Sequence, residues 1–197
     1  MPTLPESAIA DLLGPYLERG SANLYSQLSA YLDLLLKWNA RTNLTAIRDP
    51  EEIVRRHFGE SLFAAQHLGH PPTLLDFGSG AGFPGLPIAL LCPASQVTLA
   101  ESQNKKATFL REAVRTLNLP NAEVWAARVE TMPSDRRFHT VTLRAVDDME
   151  AALPAARARV ATGGQLAILT TASQISSVGH TIALPNSKAG VLYLEAV

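Results

Sequence analysis

The spacing of hydrophobic residues changes along the chain and divides it into two parts. Up to about residue 70 apolar residues recur at three- and four-residue steps, the period of an amphipathic helix, as in Leu24, Leu28, Tyr31, Leu32, Leu35 and Leu36. A further helix should begin at Asp49-Pro50-Glu51-Glu52, where a capping aspartate and a proline precede acids at the positive end of the helix dipole. His70-Pro71-Pro72 interrupts the pattern, so we predict a helical N-terminal extension over residues 1–70 and a second domain over residues 71–197.

From Thr73 onward, short apolar runs alternate with helical segments. The pattern predicts strands over residues 73–77, 96–100, 122–126, 139–143 and 164–170, and helices over residues 84–91, 103–117 and 148–160. Two short apolar stretches, 181–184 and 190–194, flank Pro185-Asn186 and are typical of a terminal antiparallel hairpin. Alternating strands and helices predict an α/β fold with a mostly parallel sheet.

Three alternating glycines mark the most distinctive turn of the chain. The first predicted strand ends at Asp76 and breaks into Gly78, Gly80 and Gly82, and the second predicted strand is followed by Glu101. Ligands of open parallel sheets lie beyond the carboxyl ends of the strands, and glycine lets a ligand approach the backbone closely. A glycine turn between two acids therefore favours a nucleoside-shaped ligand over a plain strand-to-helix turn.

The spacing around this turn narrows the choice of ligand. A nicotinamide-binding turn needs a third glycine where this chain has Phe83, which disfavours an NAD-dependent oxidoreductase. Gly85-Leu86-Pro87 lacks the lysine of a phosphate-binding loop, and no lysine or arginine lies between Arg56 and Lys105 to neutralise a pyrophosphate. We therefore predict S-adenosylmethionine, a sulfonium cation without phosphates, whose charged end Asp76 would suit.

Several further residues fall at predicted strand ends and are candidates for the site. Glu101 would accept hydrogen bonds from the ribose hydroxyls, and Val129 and Glu130 lie where an adenine ring would sit. Phe83 would either press on the ligand or join the core. Each of these acids also has a purely structural interpretation, as a solvated strand end or a helix-start acid.

The absence of certain motifs points to the methyl acceptor. The position after the fourth strand holds Leu143-Arg144-Ala145-Val146, not the Asn/Asp-Pro-Pro-aromatic motif of many exocyclic-amine methyltransferases. Pyrimidine C5 needs a cysteine nucleophile, and the single cysteine, Cys92, is expected in the core. A sugar hydroxyl calls for a base, and no lysine occurs between Lys106 and Lys188. Guanine N7 has a free lone pair and needs mainly alignment, with Arg144 as the candidate catalytic residue beside the target.

Overall composition adds little about partners. The formal net charge is −1 and the hydrophobic content is 47%, so the chain has enough apolar residues for a core but no global basic signature. Basic residues cluster locally within 103–115 and 37–57, and with His57 they are candidates for contacts with RNA phosphates, although such faces are often only solvated. His57 itself is more typical of a structural hydrogen-bonding residue. We expect a cytoplasmic monomer without membrane contact or a metal site.

The motifs together resemble a known family, the bacterial 16S rRNA guanine-N7 methyltransferases. The similarity covers residues 30–170 and is carried by Lys37-Trp38-Asn39, Asn43-Leu44-Thr45-Ala46, His57-Phe58, the run from Asp76 to Gly85, Glu101 to Lys106, Arg128-Val129-Glu130 and Leu143-Arg144-Ala145. The resemblance implies a class I, Rossmann-like methyltransferase fold behind a helical extension. It also implies cofactor contacts at Gly78, Phe83, Val129, Glu130 and Arg144, and a guanine of 16S ribosomal RNA in the small ribosomal subunit as the substrate.

The chain departs from the family pattern near its end. Thr170-Thr171 stand where the family has Lys-Gly, and residues 172–180 contain no lysine or arginine. This departure affects the expected RNA binding by the region after the fifth strand. It does not involve the predicted cofactor-binding residues. Our leading hypothesis is an S-adenosylmethionine-dependent methyltransferase acting on guanine N7. The alternatives are a small-molecule methyltransferase and a noncatalytic RNA-binding module that keeps the fold.

Overall fold

A computed structural model describes residues 1–146, 148–174 and 179–197 of the chain. The helices are α1 (Glu6–Leu13), α2 (Ala22–Thr42), α3 (Pro50–Glu52), a π-helical turn (Ile53–Gly59), α4 (Glu60–His67), α5 (Gly85–Leu91), α6 (Asn104–Thr116) and α7 (Met149–Arg157). The strands are β1 (Thr73–Phe77), β2 (Gln96–Ala100), β3 (Ala122–Trp125), β4 (Phe138–Arg144), β5 (Val160–Thr171), β6 (His180–Ala183) and β7 (Gly190–Ala196).

The helical extension begins and ends its helices at the residues that cap them. Ser21 accepts a hydrogen bond from Leu24 N at the start of α2, and Asn43 ends α2 in the left-handed conformation with φ 46°. The predicted helix start at Asp49 is confirmed, because its side chain accepts from Glu52 N. The π-helical turn at 53–59 within this helical segment was not predicted, since hydrophobic periodicity does not distinguish it from an α-helical turn.

The seven strands form one sheet in the order β3-β2-β1-β4-β5-β7-β6. The first five strands are parallel, while β7 runs antiparallel between β5 and β6. Both the predicted parallel sheet and the predicted terminal hairpin are therefore confirmed. The strand order reverses between β1 and β4, which leaves a crevice at their carboxyl ends.

An apolar core covers each face of the sheet. Neighbouring strand residues alternate between the two cores, so Leu74 packs in one and Leu75 in the other. The larger core joins α5 and α6 to the leucines of α1 and α2, and the smaller core lies beneath α7. The N-terminal helices thus share a core with the sheet, and the division at residue 70 stays a prediction.

The predicted boundaries differ from the observed ones mainly near β5. This strand begins at Val160 instead of residue 164, and α7 ends at Arg157 instead of residue 160. The observed strand also includes residues 160–163, where Gly163 carries no side chain and interrupts the strand pattern of the sequence. Of the neutral stretch 172–180, residues 175–178 lie outside the described part of the chain. Within the described part, no helix is both long and apolar enough to cross a bilayer.

Candidate cofactor-binding site

A cavity of about 640 Å³ opens at the carboxyl ends of β1, β2 and β4. Its floor is the glycine turn at 78–81, and its sides are formed by residues 100–103, 127–130 and 144–146. The fourth side comes from the helical extension, through residues 44–47 and His57. The cavity brings together all seven predicted site residues, Gly78, Gly80, Phe83, Glu101, Val129, Glu130 and Arg144.

The glycines of the turn have two different tasks. Gly78 and Gly80 have φ values of 70° and 56°, and a Cβ on either would meet no described atom closer than 3.7 Å. A Cβ on Gly82 would lie 2.6 Å from Tyr31 Oη, and one on Gly85 would lie 2.6 Å from Asp76 Oδ2. The first two glycines therefore leave their side-chain positions open at the cavity, where a ligand would fill them, and the last two permit close packing.

Asp76 does not take the role expected from the sequence. Its side chain is buried beneath the turn and is absent from the cavity wall. Oδ2 accepts from Gly85 N at 3.1 Å and Oδ1 accepts from Thr142 Oγ1 at 2.9 Å. Burial raises the pKa of Asp76 to about 6, although these hydrogen bonds oppose the rise. Asp76 therefore fixes the turn to α5 and β4 instead of facing the cationic end of the ligand.

Glu101 lies at the cavity wall and is nearly buried. Its two carboxylate oxygens accept from Gly80 N at 3.0 Å and from Gln103 N at 2.7 Å. Each oxygen keeps a further lone pair, so the carboxylate can accept hydroxyl donors from a ligand while holding the turn in place. Its assignment to the ribose stays a prediction that this geometry allows.

Val129 and Glu130 begin a short 3₁₀ turn, Val129–Thr131, on the opposite side of the cavity. The buried Arg159 fixes this turn by donating from Nη2 to the carbonyls of Val129 and Met132, at 3.0 and 2.9 Å. Val129 is buried and Glu130 is exposed. The turn is thus a rigid edge against which an adenine ring is predicted to lie.

Phe83 is both a core residue and part of the cavity wall, so the two interpretations from the sequence combine. Its ring stacks on His57 with centroids 4.6 Å apart and lies 5.4 Å from the ring of Tyr31. His57 Nε2 lies 2.7 Å from Thr45 Oγ1. Burial, followed by the charges of Arg144 and Arg56, lowers the pKa of His57 to about 3. His57 is therefore neutral at pH 7 and brings no positive charge to the site, and its contact with RNA phosphates stays a prediction.

Arg144 lines the cavity and connects the end of β4 to the helical extension. Its Nη2 donates to Glu60 Oε2 at 2.6 Å and to the carbonyl of Arg56 at 3.0 Å. Burial lowers the pKa of this guanidinium and Glu60 opposes that shift. Within the described residues, Arg144 Nη1 and His57 Nδ1 are the buried side-chain polar atoms without a hydrogen-bond partner. The arginine is thus an anchored part of the wall and not a free surface side chain.

The structure places residues in the cavity that the sequence did not assign to the cofactor site. Thr45, His57 and Lys106 line the cavity, and Lys106 joins Arg128 and Arg144 as basic groups in its wall. Residues 57–104 contain no lysine or arginine, but other segments bring basic side chains to the cavity. The available signal was the segment Asn-Leu-Thr-Ala, which carried the family resemblance but gave no position in space.

Similarity to known proteins decides the family. A family model described as rRNA small subunit methyltransferase G matches residues 24–185. This chain belongs to that family. A ribosomal RNA small subunit methyltransferase G from Nitrosomonas europaea is 45% identical over 69% of the chain, and one from Xanthomonas euvesicatoria is 40% identical over 82%. The family inferred from the sequence is thereby confirmed.

The coverage of these family members is partial. The matched segment is 63% of the Nitrosomonas relative, which is less than two thirds, and 78% of the Xanthomonas relative. Among solved structures, a SAM dependent methyltransferase from Aquifex aeolicus superposes with a TM-score of 0.60 at 18% identity. That superposition covers 78% of this chain and 97% of the Aquifex chain, and it confirms the class I methyltransferase fold.

Proposed function

We propose that this protein transfers a methyl group from S-adenosylmethionine to N7 of a guanine in 16S ribosomal RNA. The observation that carries the proposal is the open glycine turn, where Gly78 and Gly80 expose backbone to a cavity of about 640 Å³. Such a volume suits a nucleoside with an attached amino acid. Membership of the rRNA small subunit methyltransferase G family supports the RNA substrate.

The residues present fit this methyl donor. Gly78 and Gly80 form a cradle that side chains would fill, Glu101 offers a carboxylate for the ribose hydroxyls, and the turn at Val129–Thr131 borders the place for adenine. Arg144 lines the cavity between the end of β4 and the helical extension, and we expect the acceptor to meet it there. We propose these residues as the cofactor-binding site because their positions fit S-adenosylmethionine in this way.

The proposed methyl transfer requires mainly that the protein align the methyl donor and the acceptor nitrogen. When bound, S-adenosylmethionine supplies an electrophilic methyl group, which guanine N7 takes with its lone pair while the carbon–sulfur bond breaks and sulfur keeps that electron pair. No proton leaves the nitrogen, so the site needs no general base. The wall residues are therefore expected to hold the two partners in line and to exclude water, which is catalysis by positioning.

RNA would approach over the basic helices next to the cavity. Lys37 and Arg41 on α2 and Lys105, Arg111 and Arg115 on α6 are exposed, and the two helices pack together. Trp38 Nε1 donates to Glu112 Oε2 across the same contact at 3.2 Å. This surface offers phosphate contacts that do not depend on the neutral stretch after β5. An RNA substrate of this kind also places the protein in the cytoplasm, and we expect it to act as a monomer.

Transfer of a labelled methyl group tests the proposal. The protein is incubated with tritiated S-adenosylmethionine and small ribosomal subunits from a strain that lacks the mark, and the label is mapped. We expect label at one guanine, at N7. Labelling of a small molecule that survives ribonuclease digestion would instead favour a small-molecule methyltransferase. Absence of calorimetric heat with S-adenosylmethionine would favour a noncatalytic RNA-binding module.

A further inference from the structure

His57 lies at the cavity side of a cluster of aromatic rings. Tyr31, Phe58 and Phe83 contact one another with centroids 5.0 to 5.7 Å apart, and His57 covers Phe83 at 4.6 Å with an interplanar angle of 20°. Tyr31 and Phe58 are fully buried and Phe83 is 6% exposed, whereas His57 is partly exposed and lines the cavity. The aromatic cluster therefore meets the cavity at an imidazole ring.

The part of His57 that faces the cavity is its carbon surface. Phe83 covers one face of the ring, Nε2 is bonded to Thr45 Oγ1 at 2.7 Å, and Nδ1 has no exposed surface. Neither ring nitrogen is therefore presented to a ligand. A group that meets His57 from the cavity meets an aromatic surface, which favours another flat ring in a stacked or offset arrangement.

The loop that orients His57 is held in place by the end of α2. Asn39 binds both backbone groups of Thr45, donating from Nδ2 to its carbonyl and accepting from its amide, each at 3.0 Å. Ile47 N donates to Thr45 Oγ1 at 3.2 Å. This leaves the threonine hydroxyl hydrogen available to His57 Nε2. The subsite is thus formed before any ligand binds, so less conformational entropy is lost on binding.

The charge of the ring suits the reaction. Burial and the neighbouring guanidinium of Arg144 keep His57 neutral, so it does not repel a sulfonium next to it. Guanine becomes positively charged when N7 is methylated, and a neutral aromatic face attracts a cationic ring instead of repelling it. An aromatic platform without charge therefore accepts both the substrate base and the product base.

We infer that the purine that receives the methyl group stacks on His57, in a subsite bordered by residues 44–47 and Arg144. The inference rests on the proposed function and specifies how the acceptor base is held. His57 supplies stacking affinity that any base would share, since every base has a π face. Discrimination of guanine then belongs to other groups of the wall that meet the base edge, and Lys106, Arg128 and Arg144 are the lysine and arginine side chains among the lining residues.

Separate measurements of cofactor and RNA binding test this inference with His57→Ala and His57→Phe. Loss of a stacked base contact costs about 1–3 kcal/mol, so we expect His57→Ala to raise KM for the small subunit by about 10-fold or more. His57→Phe keeps a flat ring and should remain within about threefold of the natural protein. Calorimetry should give an S-adenosylmethionine Kd within about twofold of the natural value for both variants.

His67→Ala is the matched control, because the ring of His67 also contacts a phenylalanine, Phe63, with centroids 4.4 Å apart in a tilted arrangement, and His67 does not line the cavity. Its KM and Kd should not change.

A His57→Phe variant as impaired as His57→Ala would overturn the inference, since the ring nitrogens would then matter. So would a parallel loss of S-adenosylmethionine affinity in His57→Ala, which would place His57 in the cofactor site. If the natural protein transfers no label to RNA, the proposed function is wrong, and this result is distinct from the outcomes that concern His57. Unfolding curves confirm that each variant is folded.

Discussion

At the scale of single residues, the space at the Cβ position separates the glycines open to a ligand from those that permit packing. Gly78 and Gly80 leave open space at the cavity, whereas Gly82 and Gly85 make room for Tyr31 and Asp76. Positive φ does not distinguish them, because Gly82 also has φ 92°. Only the first two positions are therefore expected to respond to substitution with a loss of cofactor binding instead of a loss of fold.

Gly78→Val tests this separation. The branched side chain would occupy the cavity beside Val146, so we expect the S-adenosylmethionine Kd to rise by at least about 30-fold, together with about 1–3 kcal/mol of backbone strain. Gly69→Val is the matched control, because Gly69 has φ 67° and no described atom within 4 Å of its Cβ position. It should lose similar stability and keep its Kd. Equal affinities in the two variants would show that the pocket is misplaced.

At the scale of elements, an ion-pair series connects the helical extension to the sheet. Arg56 lies between Glu52 and Glu60 at 3.9 and 3.5 Å, and Glu60 pairs with Arg144 of β4 at 2.6 Å. The π-helical turn at 53–59 carries Arg56 and His57 and ends at Glu60. The extension therefore does more than cover the sheet, because it supplies one wall of the site and anchors its candidate catalytic arginine.

Arg144→Ala should reduce methyl transfer more than it reduces stability. Removing a preorganised donor typically lowers turnover by about 100-fold or more. The free energy of unfolding should fall by about 2 kcal/mol or less, because Arg56 still lies 3.5 Å from Glu60 and partly compensates its charge.

Arg157→Ala is the control for this prediction, because it breaks the pair with Glu195, which lies outside the cavity. It should leave turnover unchanged. Steady-state kinetics and urea unfolding measure both quantities. Losses of equal size in turnover and stability for Arg144→Ala would make this arginine a structural residue.

At the scale of the whole molecule, a net charge of −1 conceals an uneven surface. Basic residues are exposed on the neighbouring helices α2 and α6, and Lys106 of α6 lines the cavity. We propose that these residues act together as one basic patch. Electrostatic attraction to phosphates depends on such local density and on ionic strength, not on net charge alone. The patch is therefore expected to govern RNA affinity and its dependence on salt.

The double variant Lys105→Glu, Arg111→Glu tests the patch. We expect affinity for the small subunit to fall, and the slope of log affinity against log salt to decrease by about one for each lost phosphate contact. Arg19→Glu with Lys188→Glu makes the same change in net charge at exposed positions away from α6. Filter binding over a range of salt concentrations measures both. Identical slopes in the two double variants would contradict an RNA-binding role for α6.

The stability of the whole fold should depend on pH through His57. Its pKa is about 3 when folded against 6.5 for the free residue, so between these values the unfolded chain binds more protons. Stability is then lost as pH falls below 6.5, by up to about 1.4 kcal/mol per pH unit. Asp76 acts in the opposite direction between pH 3.8 and about 6, because its raised pKa makes the folded state bind more protons.

Comparison with His57→Phe isolates the contribution of the histidine. Urea unfolding at pH 7.5, 6.5, 5.5 and 4.5 should show a smaller loss of stability in the variant below about pH 6.5. Above that pH the two curves should run parallel. Parallel curves over the whole range would mean that His57 is not held neutral in the folded protein.

Local patterns in the sequence were sufficient for most of the architecture. Periods of two and of three to four residues located the five parallel strands, the helices between them and the final hairpin, because these periods follow from backbone geometry. The glycine turn was located for the same reason, since positive φ is a local requirement. The parallel direction of the strands followed from the alternation of strands and helices, whereas the strand order was known only from the structure.

Tertiary structure decided which side chains face the ligand. Asp76 and Glu101 both follow apolar strands, yet one turns beneath the loop to Gly85 and Thr142 while the other lines the cavity. Thr45 and His57 come from the helical extension, and they join the site only because the core of the extension is continuous with that of the sheet. Contacts between segments far apart in the chain leave no periodic signal, so the sequence determined the elements and the folded structure determined the site.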